Sequence, residues 1–241
     1  WPGPLTLVLP RQPVVPDLVT SGLPSVGIRC PDHPLARALI RAAGCPLAAP
    51  SANRFGRISP TTAAHLLDQL GERIDLVLDG GPCRVGVEST VLDLTGPRPR
   101  MLRPGGVTRE ELTEVLGAEP ESGDTGVSAE LAAGLQPAPA PGMLSQHYAP
   151  RTPLTLVDDV SHMTPDARTA ALSFRSPLPE GFRAVEVLSP AGDLREAATR
   201  FFAALRRLDE SGAERIVATR VPNEGLGLAL NDRLRRAAAT S

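Results

Sequence analysis

Four short segments of the N-terminal half carry the residues best suited to chemistry. Residues 50–61 place hydroxyls, an amide and two arginines in one connection before a predicted helix, and free N–H groups at a helix start bind anions. Residues 86–90 carry Glu, Ser and Thr after a glycine turn. Arg29 and Arg103 each end a predicted strand, the position where α/β sheets form ligand crevices. Each segment is equally typical of an ordinary turn or surface arginine. Together they predict a ligand site without naming a reaction.

The composition excludes several classes of protein. The 241 residues carry 25 cationic side chains, all arginine, and a net charge of −2. Any cationic contact therefore uses the planar guanidinium, which favours bidentate binding of carboxylate or phosphate, and a P-loop lysine or Schiff base is excluded from this sequence. Aromatic residues make up 3%, which argues against a base-stacking platform. No apolar run approaches the roughly 18 residues of a membrane span.

The cysteines and histidines show no metal-binding pattern. Cys30, Cys45 and Cys83 are widely spaced and form no Cys-x-x-Cys pair, so we interpret them as small buried thiols in a reducing compartment. The histidines also lack ligand spacing; they are His33, His65, His147 and His162.

The first 117 residues alternate short apolar runs with helical periodicity, which predicts an α/β domain. Strands are expected at 5–9, 26–29, 46–49, 76–78, 89–94 and 100–102, and helices at 35–43, 61–70 and 108–116. The last helix begins with Thr108 and has Glu111 three residues on, the pattern of a capping box.

The composition changes at Gly117. Residues 118–150 are rich in Pro, Gly, Ser and Ala, which predicts a linker, although His147 and Tyr148 near its end indicate a docking surface. Residues 151–241 again alternate strands and helices and predict a small α/β domain with a largely parallel sheet. The expected strands are 154–157, 170–174, 185–188 and 215–219, and the expected helices are 194–208 and 225–239.

Six segments in this order resemble the YrdC-like threonylcarbamoyl-AMP synthase family: Trp1-Pro2-Gly3-Pro4-Leu5-Thr6, Val26 to His33, Ala49 to Asn53, Ser59-Pro60-Thr61, Asp79-Gly80-Gly81 with Gly86 to Thr90, and Leu102 to Gly105. The tail motif is similar to the long form of that family, which has an extra C-terminal domain. The tail residues concerned are Pro141-Gly142-Met143, His147 to Pro150, Arg207 to Asp209, Gly225 to Gly227 and Asn231 to Leu234.

The resemblance implies a twisted, open mixed α/β sheet over residues 1–117 and a Rossmann-like domain over 151–241, joined by a linker or lid over 118–150. It implies a cytoplasmic nucleotidyltransferase that uses L-threonine, bicarbonate and ATP with Mg²⁺. The products are threonylcarbamoyl-AMP and pyrophosphate, and the former passes to the machinery that modifies a tRNA adenosine. Such a reaction requires positioning and charge and no protein nucleophile.

The resemblance also implies roles for individual residues. Arg29 matches the arginine that holds the threonine carboxylate, and Ala49 and Ser89 match positions lining the threonine site. The implied ATP contacts are Ser25, Ser51, Ser59, Arg103 and Tyr148, with Tyr148 folding over the nucleotide as part of a lid. Asn53 lies in the same loop as Ser51, where it is expected to orient substrate or metal.

Two departures from the family pattern affect these expectations. The family pattern begins about ninety residues before Trp1, with a Lys/Arg cluster and further substrate contacts, so we expect an incomplete N-terminal sheet with an exposed edge or face and poor activity. The family linker also carries basic residues where this sequence has Leu144-Ser145-Gln146.

Two alternatives to the enzyme follow from the same residues. One is a double-stranded RNA-binding module, against which the net charge of −2 and the scarce aromatics argue. The other is a fragment of the same fold that lacks turnover.

Overall fold

The computed structural model describes residues 1–123, 147–175 and 178–239. The described residues form two compact units: 1–51 with 88–123, and 52–87 with 147–175 and 178–239. The predicted boundary near residue 117 follows chain order, whereas the packing interleaves the two halves. Residues 52–87 join the second unit through contacts such as the bridge between Arg57 and Ala149.

Unit 1 is built on a five-stranded mixed sheet. Its strands are β1 (Leu5–Pro10), β2 (Ser25–Arg29), β3 (Thr90–Asp93), β4 (Arg100–Arg103) and β5 (Glu121–Ser122), in the order β2-β1-β3-β4-β5. The β1–β2 and β3–β4 pairs are antiparallel, and the β1–β3 and β4–β5 pairs are parallel. The predicted mixed α/β sheet is confirmed.

Three helices accompany this sheet. They are α1 (Asp17–Thr20), α2 (Pro34–Ala43) and, after an intervening helix of unit 2, α4 (Arg109–Leu116). The predicted capping box of α4 is present, because Thr108 Oγ1 accepts from the Glu111 N–H at 3.2 Å and Glu111 Oε2 accepts from the Thr108 N–H at 2.7 Å. Glu111 therefore satisfies one of the amides that a helix start leaves without an intrahelical partner.

The hydrophobic core of unit 1 is small. Val8, Val91 and Leu102 pack as one buried cluster, and Leu92, Met101 and Leu112 as another. No residue of α2 is buried, although the helix is amphipathic, and Leu35 and Leu39 on that helix are exposed. The hydrophobic stabilisation of this unit therefore comes chiefly from residues at the centre of the sheet and on α4.

Unit 2 contains the predicted parallel sheet, which is confirmed. Its strands run in the order β6-β9-β7-β8, and all pairs are parallel. They are β6 (Leu154–Val157), β7 (Thr169–Ser173), β8 (Ala184–Val187) and β9 (Arg215–Thr219). Its helices are α3 (Ala63–Leu70), α5 (Leu194–Asp209) and α6 (Gly227–Ala238), with short 3₁₀ turns at Gly71–Arg73 and Val160–His162. The Phe201 and Phe202 side chains of α5 lie fully inside the large core of this unit.

Three sequence predictions are wrong. Residues 46–49 and 76–78 form no strand, and Leu47, Leu76 and Leu78 are exposed rather than buried. A run of three or four apolar residues makes a strand only where a neighbouring strand pairs with it. The cysteines are also less buried than predicted, since Cys45 and Cys83 are exposed and Cys30 is intermediate. Within the described residues, no helix is long and apolar enough to cross a membrane.

Asp93 at the end of β3 ties the central strands together. Its carboxylate accepts from the Thr95 N–H at 2.9 Å, from Thr95 Oγ1 at 2.6 Å and from Arg100 Nη2 at 2.9 Å. Burial opposes ionisation, but the hydrogen bonds from Thr95 and Arg100 outweigh it and hold the pKa of Asp93 below its ordinary value of 3.8.

We predict that Asp93→Asn lowers the free energy of unfolding at neutral pH by about 1–2 kcal/mol and flattens its fall in acid. The contribution of a carboxylate with a lowered folded pKa is complete above the unfolded pKa and is lost as pH falls through the folded pKa. Urea unfolding between about pH 2 and pH 7 measures this, with the exposed Glu114→Gln as the matched control. Equal acid sensitivity in wild type and Asp93→Asn would contradict the assignment.

Candidate functional site

The best-defined polar cluster of unit 1 joins two of the predicted site residues, Ser89 and Arg103. Ser89 immediately precedes β3, Arg103 ends the neighbouring β4, and their exposed fractions are 4% and 6%. Arg103 donates to the Ser89 carbonyl oxygen from Nε at 3.2 Å and from Nη2 at 2.8 Å, and Nη2 lies 3.3 Å from Ser89 Oγ. The guanidinium thus fixes both the backbone and the hydroxyl of Ser89.

Thr6 extends this cluster toward Arg29. Thr6 Oγ1 lies 2.7 Å from Ser89 Oγ. Thr6 also stands directly opposite Arg29 in the antiparallel β1–β2 pair, so the register places the strand carrying Thr6 between the two predicted threonine-binding residues. Sequence reasoning did not select Thr6 as a site residue. The only signal in the sequence is a polar residue within the first strand, and this pattern is common in half-buried strands.

The turn after Arg103 is pressed against the backbone of Ser89. The Gly106 N–H donates to the Glu88 carbonyl at 2.9 Å, and the Val107 N–H donates to Thr90 Oγ1 at 3.0 Å. A Cβ atom at Gly105 would overlap the backbone of Glu88, Ser89 and Thr90. The glycine is therefore required for the close approach of two backbone segments.

The other predicted residues of unit 1 are Ser25, Arg29, Ala49 and Ser51. Ser25 begins β2 and Arg29 ends it, a separation of about 13 Å along a strand. Ala49 and Ser51 lie in an exposed segment without regular structure. The structure therefore brings Arg103, Ser89 and the strand end at Arg29 together, and places Ser25 at the opposite end of β2.

The loop that carries Asn53 and Ser59 belongs to unit 2. Asn53 is 9% exposed, and its Nδ2 donates to the carbonyls of Arg54 at 2.9 Å and Arg57 at 3.0 Å. The amide therefore braces its own loop. Ser59 lies half-buried two residues before Thr61.

His65 connects this loop to α3. Its Nδ1 lies 3.4 Å from the Thr61 N–H donor and 3.2 Å from Thr61 Oγ1. Burial first, and then the positive charge of Arg206, lower the pKa of His65. A neutral ring with an unprotonated Nδ1 is the form that accepts from the Thr61 amide.

Tyr148 occupies the core of unit 2. Its side chain is 1% exposed, its ring centroid lies 5.5 Å from that of Phe202, and the Arg233 guanidinium carbon is 5.4 Å from the ring centroid. The His147 ring lies edge-on at 4.1 Å. The predicted lid residue therefore packs inside unit 2, and the neighbouring linker motifs at 141–143 and 144–146 lie outside the described residues.

Arg233 is held in turn by a buried charge cluster on α6. Arg233 Nη1 lies 3.1 Å from Asp232 Oδ2, and Arg236 Nε lies 3.1 Å from both carboxylate oxygens of Asp232. Asp232 and Arg233 are 2% and 0% exposed. These charges hold the middle of α6 beside the Tyr148 ring.

The described residues contain no group of three or more His, Cys, Asp or Glu side chains that could hold a metal ion.

The fold and this cluster define an α/β protein with a polar site at the ends of a mixed sheet and a second, parallel-sheet unit. Two family models cover the chain: Sua5_yciO_yrdC, described as telomere recombination, matches residues 1–105, and "Threonylcarbamoyl-AMP synthase, C-terminal domain" matches residues 107–239.

Curated relatives agree with these models. The threonylcarbamoyl-AMP synthase of Bacillus subtilis is 40% identical over 99% of this chain and 70% of its own length. That of Pyrococcus abyssi is 38% identical over 98% of this chain and 71% of its own length. A crystal structure of P. abyssi Sua5 complexed with L-threonine superposes with a TM-score of 0.85 at 37% identity, covering 99% of this chain and 71% of that one.

The chain belongs to the threonylcarbamoyl-AMP synthase family, in the long form that carries the additional C-terminal domain.

We predict that Gly105→Ala destabilises unit 1 by more than 2 kcal/mol, since backbone atoms cannot move aside as a flexible side chain would, and overpacking costs roughly 1–3 kcal/mol or more. Urea unfolding measures the loss. Gly96→Ala is the control, because a Cβ there meets only the Arg98 carbonyl at 3.9 Å. Equal stability of the two variants would refute the close approach.

We predict that Tyr148→Ala costs unit 2 about 3–5 kcal/mol, the range for emptying an aromatic site in a core, while Tyr148→Phe retains most of the ring packing. Val185→Ala on the exposed side of β8 is the control. A thermal unfolding curve for Tyr148→Ala that overlays the wild-type curve would show that the ring does not stabilise this core.

Proposed function

We propose that this chain uses ATP to convert L-threonine and bicarbonate to threonylcarbamoyl-AMP and pyrophosphate. The observation that supports this most strongly is the agreement over nearly the whole chain with a relative crystallised with L-threonine. The polar cluster at Ser89, Arg103 and the Arg29 strand end supplies groups suited to a small anionic substrate.

The threonine end of the site is formed by Arg29 and Ser89, with the backbone of Ala49 as a third contact. The exposed Arg29 guanidinium offers two parallel N–H donors to a carboxylate. Ser89 offers a hydroxyl whose position is fixed by Arg103 and Thr6. A rigid donor binds its ligand more tightly than a mobile one, because less side-chain entropy is lost on binding.

For ATP we propose the contacts that the family resemblance assigns, namely Ser25, Ser51, Ser59, Arg103 and Tyr148, with Asn53 assigned to orient the substrate. Arg103 supports this assignment most directly, because its guanidinium donates to Ser89, a residue of the proposed threonine end. Asn53 and Tyr148 are held by contacts within unit 2, so their proposed roles rest on the resemblance.

The chemistry requires no covalent intermediate with the protein. The threonine amine attacks bicarbonate, a C–N bond forms and water leaves, which gives the carbamate. A carbamate oxygen then attacks the α-phosphorus of ATP, and the bond to the bridging oxygen breaks to release pyrophosphate. The protein holds the reactants in line and stabilises negative charge through arginine and hydroxyl donors.

Mg²⁺ is proposed to accompany ATP, bound through phosphate oxygens as is usual for this ion. The described residues form no carboxylate cluster to hold it independently, and the ion neutralises phosphate charge when bound.

The product is proposed to pass to the machinery that transfers the threonylcarbamoyl group to a tRNA adenosine, in the cytoplasm. An RNA-binding role for this chain itself is not favoured, because its relative holds a free amino acid and its net charge is −2.

We predict that pyrophosphate release requires ATP, threonine and bicarbonate together.

Arg29→Ala should raise the KM for threonine at least tenfold, the expected loss of a charge-assisted contact, and leave the KM for ATP within twofold. The exposed Arg98→Ala is the matched control, since Arg98 pairs only weakly with Glu121 at 3.5 Å.

Pyrophosphate release in the absence of threonine would count against the proposed reaction. Threonine binding without any turnover would instead support the alternative of a fragment that binds but does not catalyse. Salt-sensitive binding of double-stranded RNA without nucleotide affinity would support the RNA-binding alternative.

A further inference from the structure

The hydroxyl of Thr6 is poised to control which hydrogen-bonding group Ser89 presents to a ligand. Ser89 Oγ has one hydrogen and two acceptor positions. Arg103 Nη2 lies 3.3 Å from this oxygen, and a guanidinium only donates, so Arg103 takes one acceptor position. Thr6 Oγ1, at 2.7 Å, is the second neighbour.

The direction of the Thr6–Ser89 hydrogen bond decides whether the Ser89 hydroxyl can donate to a ligand. If Thr6 donates, both acceptor positions of Ser89 are filled and its hydrogen points away from these two neighbours. If Ser89 donates to Thr6, its hydrogen is used and Ser89 offers no donor to a ligand. A carboxylate or carbamate oxygen accepts only, so binding such a group selects the state in which Thr6 donates.

The orientation of Thr6 is set by the strand on its other side. The Thr6 Cγ2 methyl would lie 3.3 Å from a Cβ built at Gly27 on β2, while its hydroxyl faces Ser89 beside β3. Gly27 thus provides the space for the methyl group. Because β-branched side chains have restricted χ1 rotation, this arrangement keeps the hydroxyl directed at Ser89.

We propose that Thr6 is a positioning residue for the amino-acid subsite, and that it donates to Ser89 so that the Ser89 hydroxyl donates to an oxygen of the substrate amino acid. This inference rests on the proposed assignment of Ser89 to the threonine end. Thr6 itself acts through Ser89 and is not a catalytic residue.

The test compares Thr6→Val, Thr6→Ser and the control Thr155→Val in pyrophosphate-release assays with threonine or ATP varied. Thr6→Val keeps the shape and removes the hydroxyl, and we expect a roughly tenfold rise in the KM for threonine with the KM for ATP within about twofold of wild type. Thr6→Ser keeps the donor and should restore the KM for threonine to within about threefold. Thr155, an exposed residue of β6, should tolerate valine unchanged.

A structural role alone would change the two KM values together and would not be rescued selectively by serine. An unchanged KM for threonine in Thr6→Val, or an equal rise in both KM values, overturns the proposal. Calorimetric titration with threonine supplies the second measurement. Weakened binding in Thr6→Val that Thr6→Ser restores supports the positioning role even without turnover. If the wild-type chain neither binds threonine nor releases pyrophosphate, the proposed function fails and the role of Thr6 fails with it. If the wild type binds threonine and Thr6→Val binds it equally well, only the role of Thr6 fails.

Discussion

The buried guanidinium of Arg103 is the constraint on which the site in unit 1 depends. Burying a charge is costly unless it is hydrogen-bonded, and two of its bonds go to the carbonyl of Ser89. The Ser89 carbonyl must therefore stay within hydrogen-bonding distance of this guanidinium. The turn at Gly105 packs against the same backbone segment. The position of the Ser89 hydroxyl follows from these contacts and from Thr6. Site geometry and local stability are thus coupled in unit 1.

Unit 2 uses buried charge in a comparable way, with a carboxylate at the centre. Asp232 faces Arg233 and Arg236 inside the protein, and Arg233 lies over the Tyr148 ring. Removing one member of such a group leaves another charge without compensation, which is more damaging than losing an exposed ion pair. The segment around His147 and Tyr148 therefore has a defined position because α6 supplies a fixed cation beneath the ring.

Much of this architecture could be predicted from sequence because periodicity and capping are local. The capping box at Thr108 and Glu111 and the strand at Leu154–Val157 lay where the pattern placed them. The strand predicted at 76–78 is absent, since a strand needs a pairing partner that a local pattern cannot specify. The resemblance selected Ser89 and Arg103 but not their mutual contact, and it missed Thr6. Thr6 reaches Ser89 through the parallel pairing of β1 and β3, and Arg103 reaches it through the antiparallel pairing of β3 and β4. Only the folded register reveals either pairing.

The order in which chain segments contribute to the two units has a consequence for synthesis on the ribosome. Thr6 and Ser89 are 83 positions apart, so the centre of the first sheet cannot close until the intervening chain has emerged. Part of that chain, residues 52–87, packs with segments made after residue 146. The five strands of the first sheet are all made by Ser122, so that sheet can pair early, whereas strict domain-by-domain folding does not apply to unit 2. Residues 52–87 must remain without their packing partners until residues 147–239 have been made.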